Sequence, residues 1–173
     1  DQSYSVIKDI IKFKKPFFCE KPAGLTLKES RYLKSLSIKF KTLNMVGFNR
    51  RFYSIYHKGL SKIREQGPLL GLNIEGHERF WKLKDSLPDK VKDSWLFANS
   101  SHTIDLIDFF GGELEDLKVF SNSLNEAHGD QFVASIKFKS GTLGTYSSHW
   151  YSPGGWSVTL YGEGVTVIFK PFF

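Results

Sequence analysis

A chain of 173 residues that is 40% hydrophobic and 16% aromatic has enough apolar side chains to bury a globular core, which excludes a disordered protein. Its single cysteine, Cys19, excludes an internal disulfide framework, and no apolar run is long enough to span a bilayer. Because this cysteine usage is typical of reducing compartments, we predict a cytoplasmic protein with no membrane partner. The chain starts at Asp1 and contains no initiator methionine, so we expect a piece of a longer protein.

The net charge of +6 is unevenly distributed along the chain. Lysine and arginine outnumber the acidic residues in residues 1–64, and the acidic residues outnumber them in the remainder. A basic half is compatible with a nucleic-acid binder. However, most of these lysines fall on the polar faces of two predicted helices, where charge is usually solvated, and no nucleic-acid-binding motif accompanies them. We therefore expect no nucleic-acid partner and keep that class as the weaker alternative.

Helix and strand signals alternate at the start of the chain. A capping box of Thr26 and Glu29 marks the start of the second helix. The order helix, strand, helix, strand favours parallel pairing, so we predict an α/β fold whose residues 1–48 form the tail of a doubly wound Rossmann domain. The predicted elements are a helix that starts near residue 4 and ends before Pro16, a strand over 16–19, a helix over 27–36 and a strand over 42–47.

Residues 49–173 change from helical to strand periodicity. One helix ends at Gly67-Pro68 and a second is closed by Gly111-Gly112. Turn residues at Ser140-Gly141 and Glu163-Gly164 predict hairpins, so we expect an antiparallel meander with one buried and one open face. This part is predicted to be an α/β domain for substrate binding and oligomerisation, built on a large, mainly antiparallel sheet. Its predicted strands cover residues 70–74, 117–123, 132–138, 142–150, 156–161 and 165–169.

Two clusters of ionisable residues are candidates for chemistry. Glu20-Lys21-Pro22 directly follows the first strand, and Ser101-His102-Thr103-Ile104-Asp105 opens a helix. Open α/β sheets bind ligands at the carboxyl ends of their strands. Lysine and histidine can both exchange protons near neutral pH, so Lys21 and His102 are a candidate acid/base pair. The alternative is a surface lysine and a histidine at a helix start beside a satisfied Asp105.

Three segments together resemble the Gfo/Idh/MocA oxidoreductases. The resemblance implies a Rossmann domain for NAD or NADP, joined to an α/β domain with a large antiparallel sheet. It further implies hydride transfer to or from a sugar or cyclitol alcohol, in a homo-oligomer that associates through the sheet. The three segments are, in this order, Glu20-Lys21-Pro22, Val46-Gly47-Phe48-Asn49-Arg50-Arg51-Phe52, and Ser101-His102-Thr103-Ile104-Asp105 followed by Gly111-Gly112.

The resemblance also implies roles for individual residues. Pro22 would be the frequently cis proline of the family, and no metal is expected. The implied residues are Lys21 and His102 for catalysis, Glu20, Lys21 and Pro22 for the cofactor, and Asn49, Arg51 and Asp105 for the substrate.

The chain departs from the family pattern in two ways. Many members carry an aspartate four residues before the histidine, where this chain has Ala98. The glycine-rich turn G-x-G-x-x-G, which precedes the matched region in the family, is absent from these 173 residues. We therefore expect the chain alone to lack the site for the cofactor pyrophosphate. The alternative function is a non-catalytic, truncated relative that serves as a carbohydrate-binding or assembly module.

The region 142–161 is rich in aromatic residues. Trp150, Tyr151 and Trp156 could stack on a sugar, although core packing or a subunit interface explains them equally well. One helix layer should not need so many apolar side chains, so we expect some of them on the open sheet face, where they would support self-association. Cys19 lies inside an apolar strand and is expected to be an inert, buried thiol.

Overall fold

The computed structural model describes residues 2–170, which form two compact units. Unit 1 contains the residues up to Asn49 together with Pro88–Ser101, and unit 2 contains Arg50–Leu87 and the residues from His102 onward. The predicted domain bounds, 1–48 and 49–173, stay a prediction. The elements in chain order are α1 (Ser3–Ile10), β1 (Phe17–Cys19), α2 (Leu27–Phe40), β2 (Asn44–Val46), α3 (Ser54–Gln66), β3 (Leu69–Gly76), α4 (Asp89–Asp93), a π-helical turn (Leu96–Ser100), α5 (Ser101–Gly111), β4 (Leu114–Asn122), β5 (Gln131–Phe138), β6 (Leu143–His149), β7 (Trp156–Gly162) and β8 (Val165–Phe169).

Unit 1 contains a two-stranded parallel sheet covered by helices on one face. β1 and β2 pair in parallel, as predicted, with Phe18 opposite Met45. Side chains alternate across a strand, so Phe17 and Cys19 point to the face that packs against α1 and α2, around Ile11 and Leu33. Phe18 and Met45 point the other way and are 62% and 45% exposed. The sheet therefore has one covered and one uncovered face in this chain.

The capping box at the start of α2 forms as predicted, with a small shift. The Thr26 Oγ1 accepts the Glu29 N–H at 3.1 Å, while the Glu29 carboxylate accepts the Leu25 N–H at 2.8 Å. The helix continues to Phe40, four residues past its predicted end at residue 36. It stops at Lys41, which adopts the left-handed conformation at φ +52°. The helix is longer because nothing between 36 and 40 breaks its hydrogen bonds.

Unit 2 contains a six-stranded sheet in the order β4-β5-β6-β3-β7-β8. The predicted hairpins join β5 to β6 and β7 to β8. The predicted meander is wrong at one place, because β3 lies between β6 and β7, parallel to β6 and antiparallel to β7. Local periodicity identifies β3 as a strand, but it does not predict that β3 pairs with β6 and β7, which lie far along the chain. The sheet is mainly antiparallel, as predicted.

The core of unit 2 lies on one face of this sheet. Helices α3 and α5 pack there, through buried residues such as Ile63 and Leu106, against buried strand residues such as Ile74, Phe138 and Val158. This arrangement confirms an α/β domain with helices over an antiparallel sheet.

The opposite, open face of the sheet carries hydrogen-bonded polar pairs and exposed apolar side chains. Thr145 Oγ1 donates to the side-chain oxygen of Asn73 at 2.7 Å, and Ser157 Oγ donates to the Glu75 carboxylate at 2.6 Å. Tyr146, Trp150 and Trp156 are buried at 4%, 2% and 7% exposure. Leu143 and Tyr161 of the same region lie on the open face at 62% and 43% exposure, together with Val133 and Ile168. Self-association through this face stays a prediction, and these exposed apolar side chains are its argument.

Asp130 organises the connection between β4 and β5. Its side chain is 1% exposed and accepts main-chain N–H groups of Leu124, Asn125 and Glu126 at 3.2, 2.6 and 3.2 Å. Burial raises the pKa of this carboxyl, but the three donors outweigh burial, and the pKa lies below its ordinary value. The ionised carboxylate is therefore a structural acceptor.

We expect Asp130→Asn to lower the free energy of unfolding by about 1–3 kcal/mol near neutral pH. The ionised Asp130 carboxylate stabilises the fold at pH values above the pKa of an unfolded aspartate, about 3.9. This contribution is lost as the pH falls through the lower pKa that Asp130 has in the folded protein. The difference between wild type and variant should therefore shrink below about pH 4. Urea denaturation at several pH values measures it, and a difference that grows on acidification would contradict the assignment.

No helix among the described residues is both long and apolar enough to cross a membrane.

Candidate active site

Lys21 lies at the carboxyl end of β1, in unit 1. Its ammonium donates a hydrogen bond of 2.5 Å to the main-chain carbonyl of Ala98, which also belongs to unit 1. The Lys21–Pro22 peptide bond is cis, as the resemblance implied. Both side chains are half-buried, whereas Glu20 is exposed. The strand end thus presents a lysine whose position is set by a contact 77 residues along the chain.

The partner of Lys21 is a main-chain group in a π-helical turn. Ala98 lies within Leu96–Ser100, and π-helical turns displace carbonyls from the usual i→i−4 pattern, often at functional sites. In many family members this position carries an aspartate, as noted above. Here the side chain is a methyl group, and the Ala98 contact of the Lys21 ammonium is with the main-chain carbonyl oxygen. A carbonyl can orient the lysine, but unlike a carboxylate it cannot take its proton.

His102 lies in the first turn of α5, in unit 2, and is half-buried. Its ring is 6.2 Å from the ring of Trp156 at the start of β7, with the two planes tilted by 53°. The next residue, Thr103, is fully buried and forms a 3.1 Å hydrogen bond with the Tyr146 hydroxyl. The first turn of α5 is therefore anchored to the sheet next to His102.

Trp156 also contacts Arg50, a residue that the sequence analysis did not single out. The Arg50 guanidinium lies 5.3 Å from the centre of the Trp156 ring and 5.2 Å from that of Tyr53. Its Nη1 donates to the Tyr53 hydroxyl at 2.5 Å. In sequence Arg50 and Arg51 are indistinguishable neighbours. Only the structure shows that Arg50 joins His102 around one aromatic ring.

Arg51 and Asp105, both predicted to bind substrate, bind each other. Arg51 Nε donates to one Asp105 oxygen at 2.6 Å and Nη2 donates to the other at 2.7 Å, a bidentate pair. Arg51 also reaches Asp108 at 2.9 Å. The hydrogen bonding that Arg51 donates to the Asp105 carboxylate is the main reason that the pKa of Arg51 is raised, although burial opposes it. This geometry favours a role in holding α5, and therefore His102, in place.

We expect the Arg51–Asp105 pair to show a large coupling energy. The Asp105 side chain is 10% exposed, so Asp105→Asn should cost about 2–4 kcal/mol of unfolding free energy. A double-mutant cycle with Arg51→Met should give a coupling of about 1–3 kcal/mol. The exposed pair Lys62–Glu65, at 68% and 52% exposure, is the matched control and should give below about 0.5 kcal/mol. Equal couplings in urea denaturation would show that the Arg51 pair has no special role.

The last predicted substrate residue is Asn49. Asn49 is exposed at the end of unit 1, and its N–H donates to the Gly47 carbonyl at 2.9 Å. Lys21 belongs to unit 1 and His102 to unit 2, and their shared catalytic role stays a prediction.

Cys19 is half-buried, and its Sγ lies 3.6 Å from the Met45 carbonyl. Burial, followed by the nearby Glu20, raises the pKa of this thiol. A raised pKa keeps the thiol protonated at neutral pH, which disfavours a nucleophilic role. Within residues 2–170 no group of three or more His, Cys, Asp and Glu side chains could hold a metal ion.

Comparison with solved structures shows the same fold over nearly the whole chain. A myo-inositol dehydrogenase from Corynebacterium glutamicum is 18% identical with a TM-score of 0.79, covering 97% of this chain and 53% of its own. The WlbA dehydrogenase from Bordetella pertussis, in complex with NADH and UDP-GlcNAcA, is 16% identical with a TM-score of 0.82, covering 96% and 55%. A levoglucosan dehydrogenase, in complex with NADH and levoglucosan, is 17% identical with a TM-score of 0.81, covering 97% and 51%.

This chain spans about half the length of these dehydrogenases. A comparison with curated proteins gives no match. The family model for the GFO/IDH/MocA C-terminal domain matches residues 73–168, which is more than half of the chain. These residues run from β3 to β8, the six-stranded sheet described above, together with α5. The chain therefore belongs to the Gfo/Idh/MocA family.

Proposed function

We propose that this chain is part of an NAD(P)-dependent oxidoreductase that transfers hydride to or from a sugar or cyclitol alcohol. The observation that supports it most is Lys21, held at the carboxyl end of β1 by the Ala98 carbonyl. Ligands of open α/β sheets bind at such strand ends. Membership of the family and neighbours that act on myo-inositol or levoglucosan support the same reaction and substrate class.

The chemistry explains why a lysine and a histidine are needed. Oxidation of a secondary alcohol requires a base for the hydroxyl proton while hydride leaves the carbon, and a nicotinamide accepts that hydride. In our proposal Lys21 and His102 hold and move this proton.

Unit 1 supports a place for NAD or NADP. Parallel sheets normally have both faces covered, and here the face with Phe18 and Met45 is uncovered. Such a pair of strands fits as part of a larger dinucleotide-binding sheet. Glu20, Lys21 and Pro22 would lie on the ribose and nicotinamide side of the cofactor. A half-buried lysine beside an exposed carboxylate suits hydrogen bonds to ribose hydroxyls.

The cofactor's pyrophosphate has no matching site in this sequence, so we expect the 173-residue chain alone to bind nicotinamide nucleotides poorly. Glycine-rich turns at helix N-termini normally receive the pyrophosphate. Titration of NADH and NADPH, followed by nicotinamide fluorescence, should show no saturation at low micromolar concentrations. Saturable micromolar binding would show that the turn is dispensable.

The proposed activity is tested with the complete protein, expressed from the full coding region. A panel of cyclitols and sugars is offered with NAD and NADP, and reduced nicotinamide is measured by absorbance. We expect turnover of at least one polyol, abolished in the double variant Lys21→Met/His102→Asn. If the complete protein binds a sugar but shows no turnover with any cofactor, the proposal fails. That result would favour the alternative, a non-catalytic carbohydrate-binding or assembly module.

Two further properties remain predictions. The first is a homo-oligomer through the open face of the sheet, and light scattering over a concentration series tests it. A monodisperse monomer at high concentration would count against it. The second is the cytoplasmic location, for which the single cysteine is the argument.

A further inference from the structure

β4 forms one edge of the six-stranded sheet and is exposed along its whole length. Within residues 2–170 its one neighbour in the sheet is β5, and all nine residues of Leu114–Asn122 are exposed. Apolar side chains lie on both sides of the strand, with Leu117 and Val119 at 48% and 54% exposure and Phe120 at 77%. An exposed apolar edge strand is a template for pairing with another chain.

The direction of the main-chain groups of β4 follows from its neighbours. The Phe138 N–H donates to the Thr142 carbonyl at 3.0 Å and the Trp150 N–H donates to the Asp130 carbonyl at 2.9 Å. The even-numbered residues of β5 therefore direct their main-chain groups toward β6. The odd-numbered residues of β5 therefore direct their main-chain N–H and C=O groups to β4. Their partners there are Asp116, Lys118, Phe120 and Asn122.

Leu117, Val119 and Ser121 consequently direct their N–H and C=O groups to the free edge. The Leu117 N–H accordingly donates to a side chain, the Asp116 carboxylate, at 2.9 Å.

We propose that β4 pairs antiparallel with β4 of a second copy of this chain, in a two-fold arrangement centred on Leu117. In this register Leu117 lies opposite Leu117 of the second copy. Asp116 lies opposite Lys118 of the second copy, and Lys118 lies opposite Asp116 of the second copy. Each dimer therefore contains two symmetric ion pairs. Both ion pairs occupy non-hydrogen-bonded positions, where opposing side chains are closest.

The charge sequence selects this register among its neighbours. Centring on Lys118 would place two lysines opposite each other, and centring on Val119 would place Lys118 opposite Phe120. Lys137, the nearest cation on β5, is committed to Glu115 of its own chain at 2.6 Å. Asp116 and Lys118 therefore supply the complementary charges of the edge.

Charges on an edge strand often protect it from pairing. A protected edge carries charge of one sign, which repels its own copy, or a lysine with no acidic counterpart. Around Leu117 the signs are self-complementary: reversal of the strand places Asp116 opposite Lys118, while Glu115, which would lie opposite Val119, is paired with Lys137 of its own chain. This self-complementary charge pattern distinguishes an edge that can pair with its own copy from an edge that is protected against pairing. The inference does not depend on the proposed enzymatic function.

Charge reversal tests the proposal. Lys118→Glu and Asp116→Lys each place like charges opposite each other at both sites, so each variant alone should dimerise at least about tenfold more weakly than wild type. An equimolar mixture of the two variants restores both ion pairs and should dimerise about as tightly as wild type. The double variant Asp116→Lys/Lys118→Glu should do the same. Sedimentation velocity with fluorescently labelled chains measures all four.

Thr145→Arg on the open face is the matched control, and it should leave dimerisation unchanged. Circular dichroism and thermal unfolding check that the exposed substitutions leave the fold intact. The proposal is overturned if wild type is monomeric at high micromolar concentration, if single reversals associate as tightly as wild type, or if the mixture fails to recover. Loss of association in Thr145→Arg alone would instead assign the interface to the open face.

Discussion

Replacement of His102 with Asn in the complete protein is expected to lower kcat by about 10²-fold or more, with cofactor binding largely intact. Lys21→Met is expected to do the same. If the two residues act on one proton transfer, the double variant should be little worse than either single one, because residues that act as a unit are strongly non-additive. Steady-state kinetics with the best polyol of the panel measures kcat and KM for each variant.

The contact between Lys21 and Ala98 makes this prediction specific. Lys21 contacts the main-chain carbonyl of Ala98, and the Ala98 side chain is a methyl group, so no side chain at position 98 can relay a proton. If His102 only orients the substrate, His102→Asn should raise KM and leave kcat unchanged, and the shared catalytic role would be wrong. Lys28→Met, which removes an exposed lysine of α2 in the same unit, is the control and should leave both constants unchanged.

Gly111→Ala is expected to lower the free energy of unfolding by about 3 kcal/mol. A Cβ at this position would lie 2.1 Å from Cζ and 2.2 Å from Cε1 of the Phe138 ring. Phe138 is fully buried in the core of unit 2, so its ring cannot turn away into solvent. Either the helix end or the ring must move, and close-packed interiors resist both.

Gly112→Ala is the matched control, because the neighbouring glycine is needed for a different reason. Gly112 has φ +79°, its N–H caps α5 through the Asp108 carbonyl at 2.9 Å, and an added Cβ would meet nothing within 4 Å. Its replacement should cost about 1–2 kcal/mol from backbone strain alone. Phe138→Leu in the Gly111→Ala background should recover part of the loss. Urea denaturation would contradict this explanation if the two glycine variants were equally stable.

The sequence predicted elements whose signals are local. The capping box of Thr26 and Glu29, the hairpins and the parallel strands of unit 1 are encoded by residues a few positions apart, and the structure contains them. The position of β3 between β6 and β7 depends on pairing with strands far along the chain, and local periodicity does not predict such pairing. The resemblance supplied the antiparallel sheet and the family, but not this strand order.

The sequence likewise predicted only part of the candidate site. Residue type and spacing identified Lys21 and His102. The contact of Lys21 with Ala98 is to a main-chain oxygen, and the residue type at position 98 does not predict such a contact. The family resemblance implied that Arg51 and Asp105 bind the substrate. The sequence could not show that each satisfies the other. Arg50 was overlooked because its aromatic partners come from separate parts of the chain.

The place of β3 also has a consequence for how the sheet assembles. β4, β5 and β6 can pair locally, as can β7 and β8, but β3 is the strand that joins the two groups. Its contacts with β6 bridge 72 residues, as between Asn73 and Thr145, so they close a long loop before they contribute stability. We expect completion of the sheet to be the slow step of refolding. In hydrogen exchange during refolding, the amides of β3 should gain protection after those of the β5–β6 hairpin, and simultaneous protection would show that the two groups of strands do not form independently.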